Sequence, residues 1–321
     1  MTVERRAALD LGTNSFLLTL ADVEGTEIRR VFVDEIELVR LGQGLQDSGS
    51  LHPEAQERAL RALHRFSRIC RMWGVEPCQA RAAGTSALRE ASDSALFLSH
   101  VQQDTGFRVI PIPGLFEAIL TWRGGLGGLG IVDEAAPCLL DIGGGSTEII
   151  WKGGQEAASL SLGVVRGRER FLRSDPPTPH ELQSIRENVD FLWAGLPQKP
   201  AGRPIIAVAG TPTTLAAIAL GLSHAGSQEI HGFRLTTDEI KRQLTLFSSL
   251  PLPERQKIPG LHPQRADVIP VGAQILLTLL EKIGVSEVLV SLRGLRYGLL
   301  SLPAAQWPPI LTPPPRPGAA P

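Results

Sequence analysis

Twice in this 321-residue chain an apolar run ends in Asp-x-Gly, turns through small polar residues and resumes as a second apolar run. The first copy is Ala7-Ala8-Leu9-Asp10-Leu11-Gly12-Thr13-Asn14-Ser15, largely apolar again from Phe16 to Leu20. The second is Leu139-Leu140-Asp141-Ile142-Gly143-Gly144-Gly145-Ser146-Thr147-Glu148, followed by Ile149, Ile150 and Trp151. Strand, tight turn, strand is a hairpin pattern. An amphipathic helix follows each copy, with Leu60, Leu63, Phe66, Ile69, Met72 and Trp73 at helical spacing in 53–73, and Leu182, Ile185, Val189 and Leu192 in 179–195. Pro53 and Pro179 stand at helix starts, where a missing N–H costs nothing. Each half then reaches a strand running into Gly-Thr and a helix, at Gly84-Thr85 and at Gly210-Thr211, 74 positions after Asp10 and 69 after Asp141. The same order at matched spacing predicts a duplicated α/β unit. Two such lobes turn their strand ends toward one cleft, where ligands sit.

A turn of three glycines bares backbone N–H groups, because no side chain blocks close approach. Such a concavity suits phosphate oxygens. A carboxylate at the strand end can hold a cation that offsets phosphate charge. Other polar residues stand at turns marked in the sequence: Asn14, Ser15, Arg89, Glu117 after Ile112-Pro113-Gly114, Arg166, Arg293 and Arg296. Acidic residues, turn amides and arginines are the inventory that phosphoryl transfer needs. Gly124-Gly125-Leu126-Gly127-Gly128-Leu129-Gly130 reads as a flexible hinge between lobes. It contains a formal G-x-G-x-x-G, but after a helical pattern and before a strand, the reverse of a dinucleotide site. The expected lobes are therefore 1–127 and 128–302. Residues 303–321, with eight prolines in nineteen positions, are expected to form a disordered tail.

Composition narrows the function classes. With 32 Lys and Arg against 33 Asp and Glu, net charge is −1, and nothing points to nucleic acid or an anionic membrane. Three cysteines without Cys-x-x-Cys spacing argue against a disulfide framework or zinc site. The seven histidines include no His-x-x-x-His pair. No apolar run approaches the ~18–20 residues of a membrane span. The first residues lead into a strand pattern without a leader signature, so a cytoplasmic location is expected.

The ordered set of segments resembles the exopolyphosphatase and guanosine pentaphosphate phosphohydrolase family, within the actin, Hsp70 and sugar-kinase superfamily. The resemblance is carried by Asp10-Leu-Gly-Thr-Asn-Ser15, Arg40-Leu-Gly-Gln-Gly-Leu45, Gly84-Thr-Ser-Ala-Leu-Arg89, Ile112-Pro-Gly-Leu-Phe-Glu-Ala118 and Asp141-Ile-Gly-Gly-Gly-Ser-Thr-Glu148. It continues in Leu162-Gly-Val-Val-Arg166, Gly210-Thr211 and Ser291-Leu-Arg-Gly-Leu-Arg-Tyr-Gly298. It implies a two-lobed, actin-like, ribonuclease H-like duplicated fold with an interdomain cleft. It further implies a Mg²⁺-dependent (or Mn²⁺-dependent) hydrolase releasing the terminal phosphate of polyphosphate, or the 5′ terminal phosphate of guanosine pentaphosphate. In the matching positions, Glu117 orients or activates water. Asp141 holds the metal, with Asp10 and Glu148 as further metal candidates. Asn14, Ser15, Arg89, Gly144, Gly145, Ser146, Thr147, Arg166, Gly210 and Thr211 bind substrate. The resemblance also makes a homodimer an expectation. Two other classes stay open: an ATP-dependent kinase of the same superfamily, and a non-catalytic sensor of polyphosphate or the nucleotide.

Overall fold

The computed structural model describes residues 2–130, 137–196, 203–226 and 228–307. Its first sheet contains β1 (Val3–Leu11), β2 (Ser15–Glu24), β3 (Glu27–Leu38), β4 (Arg81–Gly84) and β5 (Val109–Pro111), in the order β3-β2-β1-β4-β5. The β1-β2-β3 meander is antiparallel, whereas β4 and β5 run parallel to β1. Among these strands run α1 (Leu45–Ser48), α2 (Pro53–Met72), α3 (Ser86–Glu90) and α4 (Ser94–Thr105), and α5 (Gly114–Gly125) follows β5.

The second sheet contains β6 (Cys138–Ile142), β7 (Thr147–Trp151), β8 (Glu156–Leu160), β9 (Ile205–Val208), β10 (Arg234–Thr236) and β11 (Glu287–Val290). From its antiparallel edge it runs β8-β7-β6-β9-β11, the order of the first sheet, with β10 added beyond β11. Its helices are α6 (Val164–Phe171), α7 (Pro179–Ala194), α8 (Gly210–Ala219), α9 (Thr237–Ser249), α10 (Leu252–Arg255) and α11 (Ile269–Ile283). A last helix, α12 (Leu295–Leu300), follows β11. The duplication expected from the spacing is thus present strand for strand. Asp10 pairs in register with Ala83 across β1 and β4, and Asp141 with Val208 across β6 and β9.

Helices α2 and α7 begin at the expected prolines. The buried face of α2 differs in composition from the expected stripe. Ala55, Ala59, Ala62, Leu63, Phe66 and Cys70 are buried, while Met72 is 82% exposed and Trp73 lies past the helix end. Alanines let the helix lie close on the sheet, and a reading weighted toward large residues misses them.

The glycine run is not a hinge throughout. Gly124 and Gly125 form the last turn of α5 and are buried. A β-carbon on Gly124 would sit 2.0 Å from the Gly294 carbonyl oxygen, and one on Gly298 2.0 Å from the Leu120 carbonyl oxygen. The glycines exist because α5 and α12 cross backbone to backbone. That crossing ties the two halves together. Ala118 and Trp122 of α5 pack on Leu139, Ile150, Ile206 and Val208 of the second sheet. Leu295, Leu299 and Leu300 of α12 pack on Ala8, Ala21, Val23 and Ala83 of the first. A helix end leaves carbonyls unpaired. Here buried Arg81 donates to the carbonyls of Leu299 (2.5 Å) and Leu302 (2.7 Å), and Arg6 to that of Leu300 (3.0 Å). The start of the expected tail is ordered: Ala304–Gln306 forms a 3-10 turn and Trp307 packs against the apolar cluster between α12 and the first sheet. Residues 308–321 lie outside the described residues.

Candidate active site

The two Asp-x-Gly turns have the same local geometry. Gly12 N donates to Ser15 O at 3.0 Å, and Gly143 N donates to Ser146 O at 3.0 Å. Each turn closes its hairpin just beyond the end of the central strand, leaving Asp10 and Asp141 at equivalent places in the two lobes. The turns face each other closely. A β-carbon on Gly144 would lie 3.0 Å from Asn14 N, and one on Gly145 3.0 Å from Ser86 Oγ.

Between the lobes lies a cavity of about 220 Å³. Of the residues named from the sequence, Asp10, Asn14, Ser15, Glu117, Asp141, Gly144, Gly145, Ser146, Glu148, Gly210 and Thr211 line it. They come from β1, β6, β7, the two turns and the first turns of α5 and α8.

Three named residues stand elsewhere. Thr147 is fully buried, and its hydroxyl donates to the Leu162 carbonyl at 2.6 Å, so its side chain supports the hairpin rather than a phosphate. Arg89 stands behind the lining and donates to Glu117 Oε2 at 2.5 Å and to the Ile112 carbonyl at 3.0 Å. Arg166 lies at the outer seam of the lobes, paired with Glu90 at 2.8 Å.

Five acids line the cavity: Asp34, which is paired with Arg296, and the group Asp10, Glu117, Asp141 and Glu148. Of that group Glu148 is buried and the other three are half-buried, and desolvation disfavours their charged forms. Burial pushes Glu117 from its ordinary 4.5 up to about 8, with Glu148 adding to the rise and Arg89 opposing it. Burial raises Asp10 to about 6 against the pull of Arg296. Asp141 stands well above its ordinary range through burial and repulsion from Glu148, Glu117 and Asp10. Glu148 is also raised by burial, although hydrogen bonds from Ser146 and Ser159 favour its charge.

These residues fit a divalent cation. Asp10 Oδ1 is buried without a hydrogen-bond donor among the described residues, and so is Asn14 Oδ1. An unpartnered buried acceptor beside mutually repelling carboxylates favours positive charge. Among the described residues no three His, Cys, Asp or Glu side chains are grouped to enclose an ion. The fit is therefore to a hard cation taking one or two carboxylates from the protein and its other oxygens from phosphate and water, as Mg²⁺ commonly does.

Of the positive groups facing the cavity, Arg293 and Arg296 stand at a turn marked in the sequence, whereas Arg265 escapes a reading of it. Arg265 lies over Gly210, where a β-carbon would come within 1.6 Å of its Nη1. It lines the cavity and makes no ion pair among the described residues, and burial lowers its pKa to about 10. Arg293 also lines the cavity, with its guanidinium 5.2 Å from the Tyr297 ring. Arg296 is anchored instead on Asp34, with Thr19 Oγ1 at 2.9 Å. The glycine at 210 was visible in the sequence, but nothing in the order of residues says that Arg265 lies over it.

Backbone strain marks the same wall. Ala209, between β9 and α8, has φ 74° and ψ −171°, a region essentially reserved for glycine. The strain costs on the order of 1–3 kcal/mol. Ala209→Gly is therefore expected to raise unfolding free energy by about 1 kcal/mol after glycine's greater chain entropy is subtracted. Urea denaturation checks this, and a less stable variant would show that the alanine is unstrained. The turn delivers α8 with its first amides toward the cavity. Amides of a first helical turn have no acceptor within the helix and suit an anion.

Among the described residues no helix is long and apolar enough to cross a membrane. Residues 21–303 match the Ppx/GppA phosphatase family. The chain is 33% identical over 319 residues to exopolyphosphatase 2 of Mycobacterium tuberculosis, with 93% of this chain and 98% of that one covered. It superposes on the crystal structure of an exopolyphosphatase-like protein with a TM-score of 0.85 at 29% identity, covering 94% of this chain and 98% of that one. Against the Aquifex aeolicus PPX-GPPA enzyme the TM-score is 0.77 at 30% identity, covering 94% of this chain and 99% of that one. With the duplicated two-lobed fold, the acid-lined cleft and these matches, the chain belongs to the Ppx/GppA phosphatase family and is an enzyme of phosphoric anhydride hydrolysis.

Proposed function

We propose that this enzyme releases orthophosphate from the end of inorganic polyphosphate, with Glu117 directing the attacking water. The observation that carries the reading is the division of charge in one cleft: the acids Asp10, Asp141 and Glu148 from the strands and Glu117 from the start of α5, and Arg265 and Arg293 on the same cavity without carboxylate partners among the described residues. A chain of phosphates needs both, one side for the reacting group and one for the chain behind it. The relatives named exopolyphosphatase support the same substrate.

In this reading the terminal phosphate sits against the Gly144 and Gly145 amides and Ser146, with Asn14 and Ser15 facing it from the other lobe. Glu117 accepts a proton from water as the water oxygen bonds to phosphorus and the bridging P–O bond breaks. The electron pair stays on the shortened chain, whose charge Arg265 and the first turn of α8 offset. The proton then passes from Glu117 to the released phosphate. A divalent cation, Mg²⁺ or Mn²⁺, would be held by Asp141 with Asp10 or Glu148 and would supply charge neutralisation to the phosphate.

Orthophosphate release from polyphosphate and, in parallel, from guanosine pentaphosphate tests the substrate. Faster release from the nucleotide would transfer the name to that reaction, and release from neither would sink the reading.

A stability measurement tests the cation. All four acids are raised, so between about 4.5 and about 8 the folded chain holds protons that the unfolded chain releases. Stability from these groups is present below the unfolded values and is lost as pH rises through the folded ones. The Tm of chelator-treated protein should therefore fall between pH 5 and pH 8 for this reason, and Mg²⁺ should raise it strongly at pH 8 and little at pH 5. Equal effects of Mg²⁺ at both values would separate the acids from metal binding.

A further inference from the structure

Thr13, Ser86 and Gly145 line two cavities at once. On one side is the acid-lined cleft. On the other is a chamber of about 10 Å³ at the outer seam of the lobes, between α3 and α6. It has room for about one water at most.

Beside this chamber sits the carboxylate of Glu90. Its Oε1 accepts from Ser86 Oγ at 2.6 Å, and its Oε2 from Arg166 Nη2 at 2.8 Å and Gln46 Nε2 at 3.3 Å. Donors from three separate segments converge on one oxyanion. The guanidinium is not used up by it: Arg166 Nε is buried and has no acceptor among the described residues. A guanidinium fork is made for an oxyanion that engages it through two oxygens. The two partners also differ in freedom. The Glu90 side chain is 41% exposed and can rotate into solvent, whereas that of Arg166 is 16% exposed. Ion pairs open to water hold weakly.

We propose that this seam is a second anion subsite, filled by Glu90 in the free enzyme and taken over by an internal phosphate of a long polyphosphate chain. The inference rests on the polyphosphate reading above. A chain whose end lies in the cleft reaches the seam past Ser86, once the turns at Thr13 and Gly145 part. There it displaces Glu90, receives the Ser86 hydroxyl and takes both sides of the Arg166 fork. A chain of only a few phosphates does not extend to the seam. Glu90 is then a competing anion that sets which chain lengths bind tightly.

The test is calorimetric binding of long-chain polyphosphate and of tripolyphosphate to wild type, Glu90→Gln, Arg166→Gln and the double variant. Glu90→Gln keeps an acceptor for Ser86, and Glu90→Ala serves as a second version, each checked for folding by its thermal transition. Removing the competing charge should tighten long-chain binding about tenfold, the scale of one charge-assisted hydrogen bond. Tripolyphosphate binding should not change. Arg166→Gln should weaken long-chain binding, and the double variant should show no gain over it. Long-chain affinity that is unchanged or lower in both Glu90 variants would overturn the proposal. So would a gain that survives in the double variant, because that gain would come from loosening the lobes. If either occurs while wild type still releases phosphate from polyphosphate, the subsite fails and the activity stands. If no polyphosphate binds to any form, both readings fall together.

Discussion

Glu117→Gln is expected to abolish most phosphate release while leaving the protein at least as stable. A positioned general base contributes roughly 10²–10⁴-fold to rate, and kcat should fall by that factor. The amide fills the same space but cannot accept the proton. Stability should move the other way. Glu117 shares an enclosed site with Glu148, Asp141 and Asp10, and its charge is disfavoured first by burial and then by Glu148. At pH 8.5 the wild-type carboxyl is largely ionised and the glutamine is neutral, so the variant's Tm should equal or exceed that of wild type. The Arg89 contact at 2.5 Å is partly lost, which limits the gain. Near-normal release from the variant would remove Glu117 from the chemistry. A large loss of Tm would instead show that the ion pair with Arg89 is structural and that the lost rate reflects unfolding.

The second large effect is on folding. Gly298→Ala places a methyl group 2.0 Å from the Leu120 carbonyl oxygen and 2.6 Å from its carbon. Both obstacles are main chain of α5, so no side chain can rotate away. Overpacking of this kind costs about 1–3 kcal/mol, and main chain on both sides of the contact argues for the upper end. At roughly 2–4 °C per kcal/mol for a domain of this size, Tm should drop by about 6–12 °C. Gly124→Ala should do the same, since its β-carbon meets the Gly294 carbonyl oxygen at 2.0 Å. A mild loss for both would mean that the helices slide apart cheaply. Because Glu117 lies on α5, such a slide should also reduce phosphate release, which would couple the two measurements.

What could be read from the chain order was whatever repeats locally. Asp-x-Gly turns, prolines at helix starts and Gly-Thr after a strand are short-range patterns, and they delivered three adjacent strands of each sheet and most of the cleft. Thr147 was named with its neighbours in the turn, but alternation along β7 turns its side chain inward to the Leu162 carbonyl. Gly124 and Gly125 look like freedom in the sequence, because a glycine leaves the same trace whether it bends or lets a helix approach. Arg265 was invisible for a different reason. Its place in the cleft depends on contact with Gly210, 55 positions earlier, and no periodicity connects them. Arg89 and Arg166 were identified as polar residues at turns, but their partners, Glu117 and Glu90, come only with the folded arrangement.

The exchange of helices between the sheets also sets a timetable for synthesis. One face of the first sheet, with Ala8, Ala21, Val23 and Ala83, is covered by α12, which begins at Leu295. The last strand of that sheet ends at Pro111. At about 5–20 residues per second, the ribosome needs roughly 10–35 s to deliver the intervening segment. Throughout that interval the nascent first lobe presents an apolar surface whose own cover has not yet been made. A ribosome stalled before residue 295 should hold a chain that chaperones recognise, even though all five strands of its first sheet have already emerged.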